Sequence, residues 1–201
     1  MLNAADALAR LRDGNRRFVN NQSITPSLSN AARRGALVAG QEPFAIILGC
    51  SDSRVPAELV FDQGFGDLFV IRVAGNIVAP SQIGSVEFAA AQFGTRLVVV
   101  LGHSLCGAIT ATLAELRGSP SSNSRNLRSI VDRVMPAVQG VLAGPPQDAD
   151  ALVHDAVIAN VRASVDQLRH GSELIESLVQ GDGLMVVGAY YSLETGVVSF
   201  L

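Results

Sequence analysis

Apolar runs separated by helical segments dominate the middle of the chain. Three such runs occupy residues 44–48, 68–73 and 97–101, and the only interruption in them is Arg72. They are typical of strands buried on both faces of a parallel sheet, because a strand with one exposed face would alternate apolar and polar residues. Helices are predicted between and after the runs, at residues 57–62, 85–93 and 106–117. This alternation predicts an α/β fold with right-handed crossovers.

The N-terminal segment has a different pattern. Its apolar residues fall at roughly helical spacing among charged ones, which predicts an amphipathic helix: Leu8, Leu11, Phe18 and Val19. Residues 20–30 indicate a linker, and a short helix is predicted at residues 31–39. Because these elements have no obvious place in the sheet, we expect residues 1–40 to form a helical arm that packs on a partner subunit.

The C-terminal half is predicted to be mostly helical before it closes with a hairpin. The predicted helices are residues 127–142 and 151–178, and polar breaks precede them at 118–124 and 144–150. Two apolar segments around a turn are typical of a hairpin at a sheet edge: residues 184–191 and 197–201. We therefore predict a three-layer single domain, residues 1–201, whose α/β core spans residues 41–201. Its central sheet is mainly parallel, of order 2-1-3-4, with an antiparallel edge strand.

Composition limits the classes of function. The 201 residues are 48% hydrophobic and 16% charged, which suffices for one sizeable core. A net charge of -3 argues against nucleic acid as a partner, since phosphate-binding surfaces carry a basic excess. All 15 basic residues are Arg, which excludes Schiff-base chemistry because that requires a lysine amine. We expect no membrane partner, since no apolar run is long enough to span a bilayer.

Two cysteines and one histidine follow predicted strands. Cys50 comes after the first apolar run, His103 after the third, and Cys106 three residues later, where a helix is predicted to begin. Ligands of open parallel sheets bind beyond the carboxyl ends of the strands, and the order 2-1-3 brings Cys50 and His103 together there. Two thiolates and one imidazole suit zinc, and three protein ligands leave its fourth position open for chemistry. The sequence therefore predicts a zinc enzyme that activates water.

The two cysteines have an alternative interpretation as a disulfide, which would indicate an oxidising compartment. A shared metal requires both thiols to stay reduced, because oxidation competes with metal binding. A reducing cytoplasm is consistent with the metal hypothesis, and we expect a cytoplasmic protein.

Several segments together resemble the β-class carbonic anhydrases. The main ones are GCSDSRVPAE at residues 49–58, GDLFVIRVAGN at 66–76, SVEF at 85–88 and GHSLCGA at 102–108. Shorter similar segments at 40–43, 187–190 and 193–196 extend the resemblance to nearly the whole chain. It implies reversible hydration of carbon dioxide to bicarbonate by zinc-bound hydroxide, with one Zn²⁺ per chain. It also implies a homodimer or homotetramer.

Asp52 and Arg54 lie within the predicted metal-binding loop. Asp52, two residues past Cys50, can place a carboxylate near the metal, and Arg54 can clamp that carboxylate through a planar bidentate pair. The resemblance implies that Asp52 accepts a proton from zinc-bound water or, in a closed state, becomes the fourth zinc ligand. It implies that Arg54 holds Asp52 off the metal.

The resemblance also implies which residues bind substrate. Gln41 and the backbone amide of Gly107 would orient bicarbonate, and an apolar pocket would be lined by Phe69, Ala74 and Phe88. From the residues alone, the two phenylalanines are equally typical of a hydrophobic core.

One position departs from some bacterial members of this class. Those members have a second, inhibitory bicarbonate site, built from a Trp three residues before the first zinc Cys, an Arg and a Tyr. This chain has Ile47 at the Trp position and no Trp at all, although Arg72 matches the Arg. We therefore expect no such regulatory site in that form.

Two other functions fit the same ligands. Some proteins that resemble carbonic anhydrases hydrolyse carbonyl sulfide or carbon disulfide, which are linear triatomic molecules like carbon dioxide. A catalytically silent zinc protein is the other alternative. The presence of Asp52, Arg54 and Gln41 argues against a silent protein.

Overall fold

A five-stranded sheet forms the centre of the fold. The computed structural model describes residues 2–119, 124–145 and 148–201, so parts of the two predicted polar breaks, 120–123 and 146–147, lie outside the described residues. Within those ranges the strands are β1 (Ala45–Gly49), β2 (Leu68–Arg72), β3 (Leu97–His103), β4 (Met185–Tyr191) and β5 (Val198–Phe200). Their order is β2-β1-β3-β4-β5, and β5 alone pairs antiparallel. The predicted order and the antiparallel edge strand are confirmed.

Both faces of the sheet are buried, because successive side chains of a strand point to opposite faces. Ile46 and Val98 belong to one hydrophobic cluster, whereas Ile47 and Val99 belong to the other. Every residue of β1 and β3 is buried, as the unbroken apolar runs predict. β2 is more exposed because it lies at the sheet edge, with a strand on one side only.

Helices cover both faces of the sheet and complete three layers. In the described residues they are α1 (Ala4–Val19), α2 (Thr25–Leu28), α3 (Ala31–Ala36), α4 (Ala57–Val60), α5 (Pro80–Gln92), α6 (Gly107–Leu116), α7 (Arg125–Leu142), α8 (Ala149–His170) and α9 (Glu173–Gly181). Side chains of α1 and α4 join the Ile47 cluster, and side chains of α5 to α9 join the Ile46 cluster. None of these described helices combines the length and hydropathy needed to cross a bilayer.

α1 packs on its own sheet. Asn3 caps its first turn by accepting a hydrogen bond from the backbone N–H of Asp6 at 2.9 Å. Ala7 and Leu11 are fully buried in the cluster that includes β1 and β3 side chains. This contact of α1 with its own sheet was not predicted from the sequence, and the expected packing of the arm on a partner subunit stays a prediction. The predicted linker also differs, since it contains α2.

Two helix boundaries also differ from prediction. The predicted helix 151–178 is divided into α8 and α9 at Gly171 and Ser172. Ser172 Oγ accepts a backbone N–H of the first turn of α9 at 3.1 Å, so it caps a new helix. The pattern misses this break because apolar residues continue at helical spacing on both sides of it. α5 begins at Pro80 rather than at residue 85, since proline is favourable in the first helical turn.

A buried carboxylate joins the N-terminal helices to the core. Asp62 is fully buried, and its oxygens accept hydrogen bonds from the N–H groups of Ile24 and Thr25 at 2.8 Å and from the Thr25 hydroxyl at 2.6 Å. Arg17 Nε donates to the same carboxylate at 2.5 Å. Burial alone would raise the pKa of Asp62, but the hydrogen bonds from Thr25 and Arg17 outweigh it and lower the pKa below its ordinary value.

Asp62→Ala is expected to lower the free energy of unfolding by about 3 kcal/mol, because it leaves buried donors and Arg17 without their partner. The pKa of Asp62 is lower in the folded than in the unfolded chain. Its stabilisation is therefore present above the unfolded pKa of about 3.9 and is lost as pH falls through the folded pKa. Urea unfolding at neutral pH and on acidification measures both effects.

The matched control is Asp13→Ala, which removes only an exposed ion pair with Arg16. We expect this control to change stability by less than about 0.5 kcal/mol. A loss for Asp62→Ala no larger than that of Asp13→Ala would contradict the role of the buried carboxylate.

Candidate metal and active site

The structure brings the two cysteines and the histidine together. Cys50 follows β1, His103 is the last residue of β3, and Cys106 precedes α6 as its N-terminal capping residue. β1 and β3 are parallel neighbours, so their carboxyl ends meet at one edge of the sheet. All three residues are buried, and their candidate ligand atoms all lie within 4.8 Å of one another. The proximity predicted from the sequence is confirmed.

His103 is held in the tautomer that a metal requires. Its Nδ1 is 2.8 Å from the carbonyl oxygen of Ser104, and because a carbonyl can only accept, Nδ1 carries the hydrogen. Nε2 therefore has a free lone pair. Among the described residues, it is one of two buried side-chain nitrogen or oxygen atoms without a hydrogen-bond partner, the other being Asn76 Nδ2. A buried nitrogen with a free lone pair, beside two cysteine sulfurs, is typical of a metal ligand in a metal-free site.

The two cysteine sulfurs interact with each other. A hydrogen bond from the Cys106 thiol is the largest cause that lowers the pKa of Cys50, to about 4, and the same contact raises the pKa of Cys106. The backbone N–H of Gly75 also donates to Cys50 Sγ at 3.4 Å. This contact favours the thiolate form of Cys50, and metal binding would require Cys106 to lose its proton as well. Two sulfurs and one imidazole nitrogen fit zinc and leave one coordination position open.

Asp52 and Arg54 form the bidentate pair predicted from the sequence. Arg54 Nε donates to Asp52 Oδ1 at 2.9 Å and Nη2 donates to Oδ2 at 2.7 Å, while the Arg54 backbone N–H adds a third bond at 2.9 Å. These contacts hold the pKa of Asp52 well below its usual range, the side-chain hydrogen bond being the largest cause. Asp52 Oδ2 lies 4.0 Å from His103 Nε2, so the carboxylate stands beside the ligand set.

Arg72 contacts the metal-binding loop, although from the sequence we named it only as the match to an Arg of a regulatory site that we did not expect in this chain. Its Nε donates to the carbonyl of Cys50 at 3.0 Å, and its Nη2 donates to the carbonyl of Asp52 at 2.5 Å. The parallel register places Arg72 directly beside Gly49, the last residue of β1. The guanidinium therefore holds the backbone of the metal-binding loop. The predicted pairing of the first two strands was the sequence signal for this contact, because it places Arg72 next to the end of β1.

The predicted substrate residues are distributed unevenly. Gly107 directly follows Cys106, and Ala74 precedes Gly75, whose N–H contacts Cys50. Phe69 and Phe88 lie on β2 and α5 with ring centroids 6.2 Å apart, in one cluster with Phe93. Phe88 is 54% exposed, so it is not a core aromatic residue.

Gln41 lies apart from the other site residues within this chain. It precedes the amino end of β1, whereas Cys50 follows the carboxyl end of the same strand. A strand of this length separates them by about 16 Å along its axis. Gln41 lines a polar cavity of about 550 Å³ together with Arg10, Arg33 and Asp67. A single chain does not bring Gln41 to the cysteines.

Comparison with known proteins decides the family. The sequence model described as carbonic anhydrase matches residues 45–198, which is well over half of the chain. The chain belongs to the carbonic anhydrase family. Carbonic anhydrase 2 of Mycobacterium tuberculosis is 40% identical to it over 194 residues, which cover 96% of this chain and 91% of that protein. The carbonic anhydrase of Mycolicibacterium smegmatis is 39% identical over 196 residues, with the same coverage, 96% and 91%.

Solved structures assign the β class. A tetrameric β-carbonic anhydrase from the filamentous ascomycete Sordaria macrospora matches with a TM-score of 0.75 and 26% identity, over 86% of this chain and 87% of that chain. The chain is thus a β-class carbonic anhydrase by sequence and by fold, as the resemblance of its motifs implied.

Proposed function

We propose that the chain catalyses the zinc-dependent, reversible hydration of carbon dioxide to bicarbonate and a proton. The observation that carries the proposal is the ligand set, in which the unpartnered Nε2 of His103 lies beside the sulfurs of Cys50 and Cys106. When bound, zinc would lower the pKa of a water in its open position and so supply a hydroxide nucleophile. The following roles are proposed for the residues around that position.

Asp52 and Arg54 would manage the proton. Asp52 would accept a hydrogen bond from the reacting water and take up its proton. Because the pKa of Asp52 is lowered, the protonated carboxyl would release that proton readily to solvent. Arg54 would fix both carboxylate oxygens, and so keep Asp52 out of the fourth ligand position that it could take in a closed state. Arg54 is about half exposed, which leaves the pair open to solvent on one side.

Gly107 and the apolar residues would bind substrate. The Gly107 N–H stands at the start of α6, where backbone N–H groups have no partner within the helix and favour anions such as bicarbonate. A Cβ at Gly107 would meet no atom within 4 Å, so there is open space beside the Cα of this residue. Phe69, Ala74 and Phe88 would supply the apolar walls that carbon dioxide requires. Gln41 could join them only from a second copy of the chain.

We therefore propose that the enzyme is a homodimer or homotetramer in which Gln41 completes the site of the partner. Phe88 supports this, because its exposed ring and the edge strand β2 leave an aromatic surface uncovered in the single chain. Light scattering at micromolar concentration should give two or four times the chain mass of 21.0 kDa. A fully active monomer at that concentration would contradict the assembly and the role of Gln41.

The cell compartment and domain organisation follow from the same proposal. Cys50 and Cys106 are both free and buried. A reducing cytoplasm would keep both thiols available for zinc. We propose that residues 1–201 act there as a single domain, with the arm of residues 1–40 held on the core through α1.

The test of the function is stopped-flow hydration of carbon dioxide with a pH indicator, on zinc-loaded enzyme and on enzyme stripped by a chelator. We expect rapid hydration that is lost on stripping and restored by zinc. Headspace analysis with carbonyl sulfide and carbon disulfide runs in parallel. Hydrolysis of either sulfur compound without carbon dioxide hydration would assign the alternative hydrolase, and no activity on any substrate by zinc-loaded protein would assign a silent zinc protein.

A further inference from the structure

A tight turn between β2 and α5 contacts the metal-binding cysteine. The residues Ala74–Asn76 form a short 3₁₀ turn, in which the Gly75 N–H donates to Cys50 Sγ at 3.4 Å. Gly75 has φ 71° and Asn76 has φ 43°, so two successive residues are left-handed. Such backbone persists only when its surroundings hold it, because non-glycine residues rarely adopt this conformation. A Cβ on Gly75 would lie 3.0 Å from Ala108 Cβ, so the turn is also tightly packed.

Two polar side chains of α8 hold this turn from behind. Asn160 Nδ2 donates to the Gly75 carbonyl at 2.9 Å, and Ser164 Oγ donates to the Asn76 carbonyl at 3.2 Å. Both residues are only 2% exposed. Buried polar side chains need a hydrogen-bond partner, and the carbonyls of the turn are the partners of these two. The turn does not hold itself through its own side chain, because Asn76 Nδ2 has no partner in the described structure.

We propose that Asn160 and Ser164 are positioning residues of the metal centre, which fix the Ala74–Asn76 turn so that the Gly75 N–H points at the Cys50 sulfur. The proposal rests on the proposed zinc function. A hydrogen bond to a metal-bound thiolate reduces its electron donation, and partners of this kind tune both the affinity and the electronic properties of the metal. The hydrogen bonds of both side chains go to carbonyls of the turn, so their effect on the metal centre would pass through the backbone of the turn.

The experiment compares three variants with the wild-type protein. Asn160→Leu keeps the size of the side chain but removes the donor, and Ser164→Ala removes the second donor with a smaller change in volume. Thr95→Val is the matched control, because it also removes a buried hydrogen bond from a side chain to a backbone carbonyl. The fully buried Thr95 hydroxyl donates at 2.6 Å to the carbonyl of Pro43, which precedes β1 and is not part of the turn. Zinc affinity is measured by competition with a chromophoric chelator, and the thiolate-to-metal charge-transfer band is measured on cobalt-substituted protein.

We expect Asn160→Leu to lower zinc affinity by about 10-fold or more, because the loosened turn no longer orients Cys50. The cobalt–thiolate band should shift to lower energy, because the sulfur donates more strongly without the hydrogen bond. Ser164→Ala should change both readouts in the same direction by less. Thr95→Val should reduce stability and leave both readouts unchanged. If Asn160→Leu does not fold, Ser164→Ala decides the result by itself.

Wild-type affinity and band position in the α8 variants, or the same shifts in Thr95→Val, would overturn the proposal. A wild-type protein that binds zinc but does not hydrate carbon dioxide would overturn the proposed function alone, because neither readout depends on activity. A wild-type protein that binds neither zinc nor cobalt would overturn both.

Discussion

Cys106→Ser is expected to lose bound zinc and carbon dioxide hydration together. The ligand atoms of Cys50, His103 and Cys106 lie within 4.8 Å of one another. Among the described residues, this is the only cluster of Cys, His, Asp or Glu that could hold a metal ion at this edge of the sheet. A serine hydroxyl stays protonated at neutral pH and is a poor zinc ligand, whereas a thiolate is a soft and strong one. We expect zinc affinity to fall by more than the roughly 10–100-fold that follows loss of an outer-shell partner. Metal analysis after gel filtration and stopped-flow hydration measure the two losses.

The substitution should separate loss of the metal from loss of the fold. Cys106 is the N-terminal capping residue of α6 and makes no capping hydrogen bond with its side chain. Serine is one of the preferred residues at that position, so the variant should keep α6 and remain folded. Thermal unfolding of both chelator-treated proteins should therefore give similar midpoints. A Cys106→Ser protein with one zinc per chain and wild-type activity would rule out the proposed ligand set.

Much of this site could be predicted because it depends on strand ends. Cys50 and His103 each follow an unbroken apolar run, and parallel neighbours bring such positions to one edge. The Asp52–Arg54 pair could also be predicted, because two residues close together on one loop can form a hydrogen bond independently of the rest of the fold.

Other contacts depend on three-dimensional packing that no local pattern reports. The apolar stripe of α1 predicts a buried face, but the stripe does not tell which surface covers it, and its own sheet does so. Asn160 and Ser164 lie one helical turn apart within the apolar stripe of α8, which marks them as unusual. Their partners in the turn are 85 and 88 residues away, so only the folded structure identifies them.

Arg54→Ala and Asp52→Asn are expected to lower activity for different reasons while zinc stays bound. Asp52→Asn keeps the shape of the side chain but removes the proton acceptor, which should reduce hydration about 100-fold, the lower end of general-base effects. Arg54→Ala removes the two side-chain hydrogen bonds to Asp52 and leaves that carboxylate only the backbone N–H of residue 54. The freed carboxylate, already 4.0 Å from His103 Nε2, should then take the open metal position and block it. Arg54→Lys is the charge-matched control, and it should recover only part of the activity, because lysine lacks the planar fork.

The double variant Asp52→Asn with Arg54→Ala separates these two effects. If Arg54 acts by holding Asp52 off the metal, its removal has nothing left to release once residue 52 is an amide, and the double variant should be no worse than Asp52→Asn alone. Because Arg54 keeps the pKa of Asp52 well below its usual range, the carboxylate stays ionised from neutral pH upwards. Wild-type activity should therefore rise from about pH 7 toward pH 9 with the supply of hydroxide rather than with ionisation of Asp52. The Arg54→Ala defect should persist at high pH. The measurement is the hydration rate of the wild type, the two single variants Asp52→Asn and Arg54→Ala, and their double variant, with zinc content checked. Losses that simply add in the double variant would exclude the gating role of Arg54.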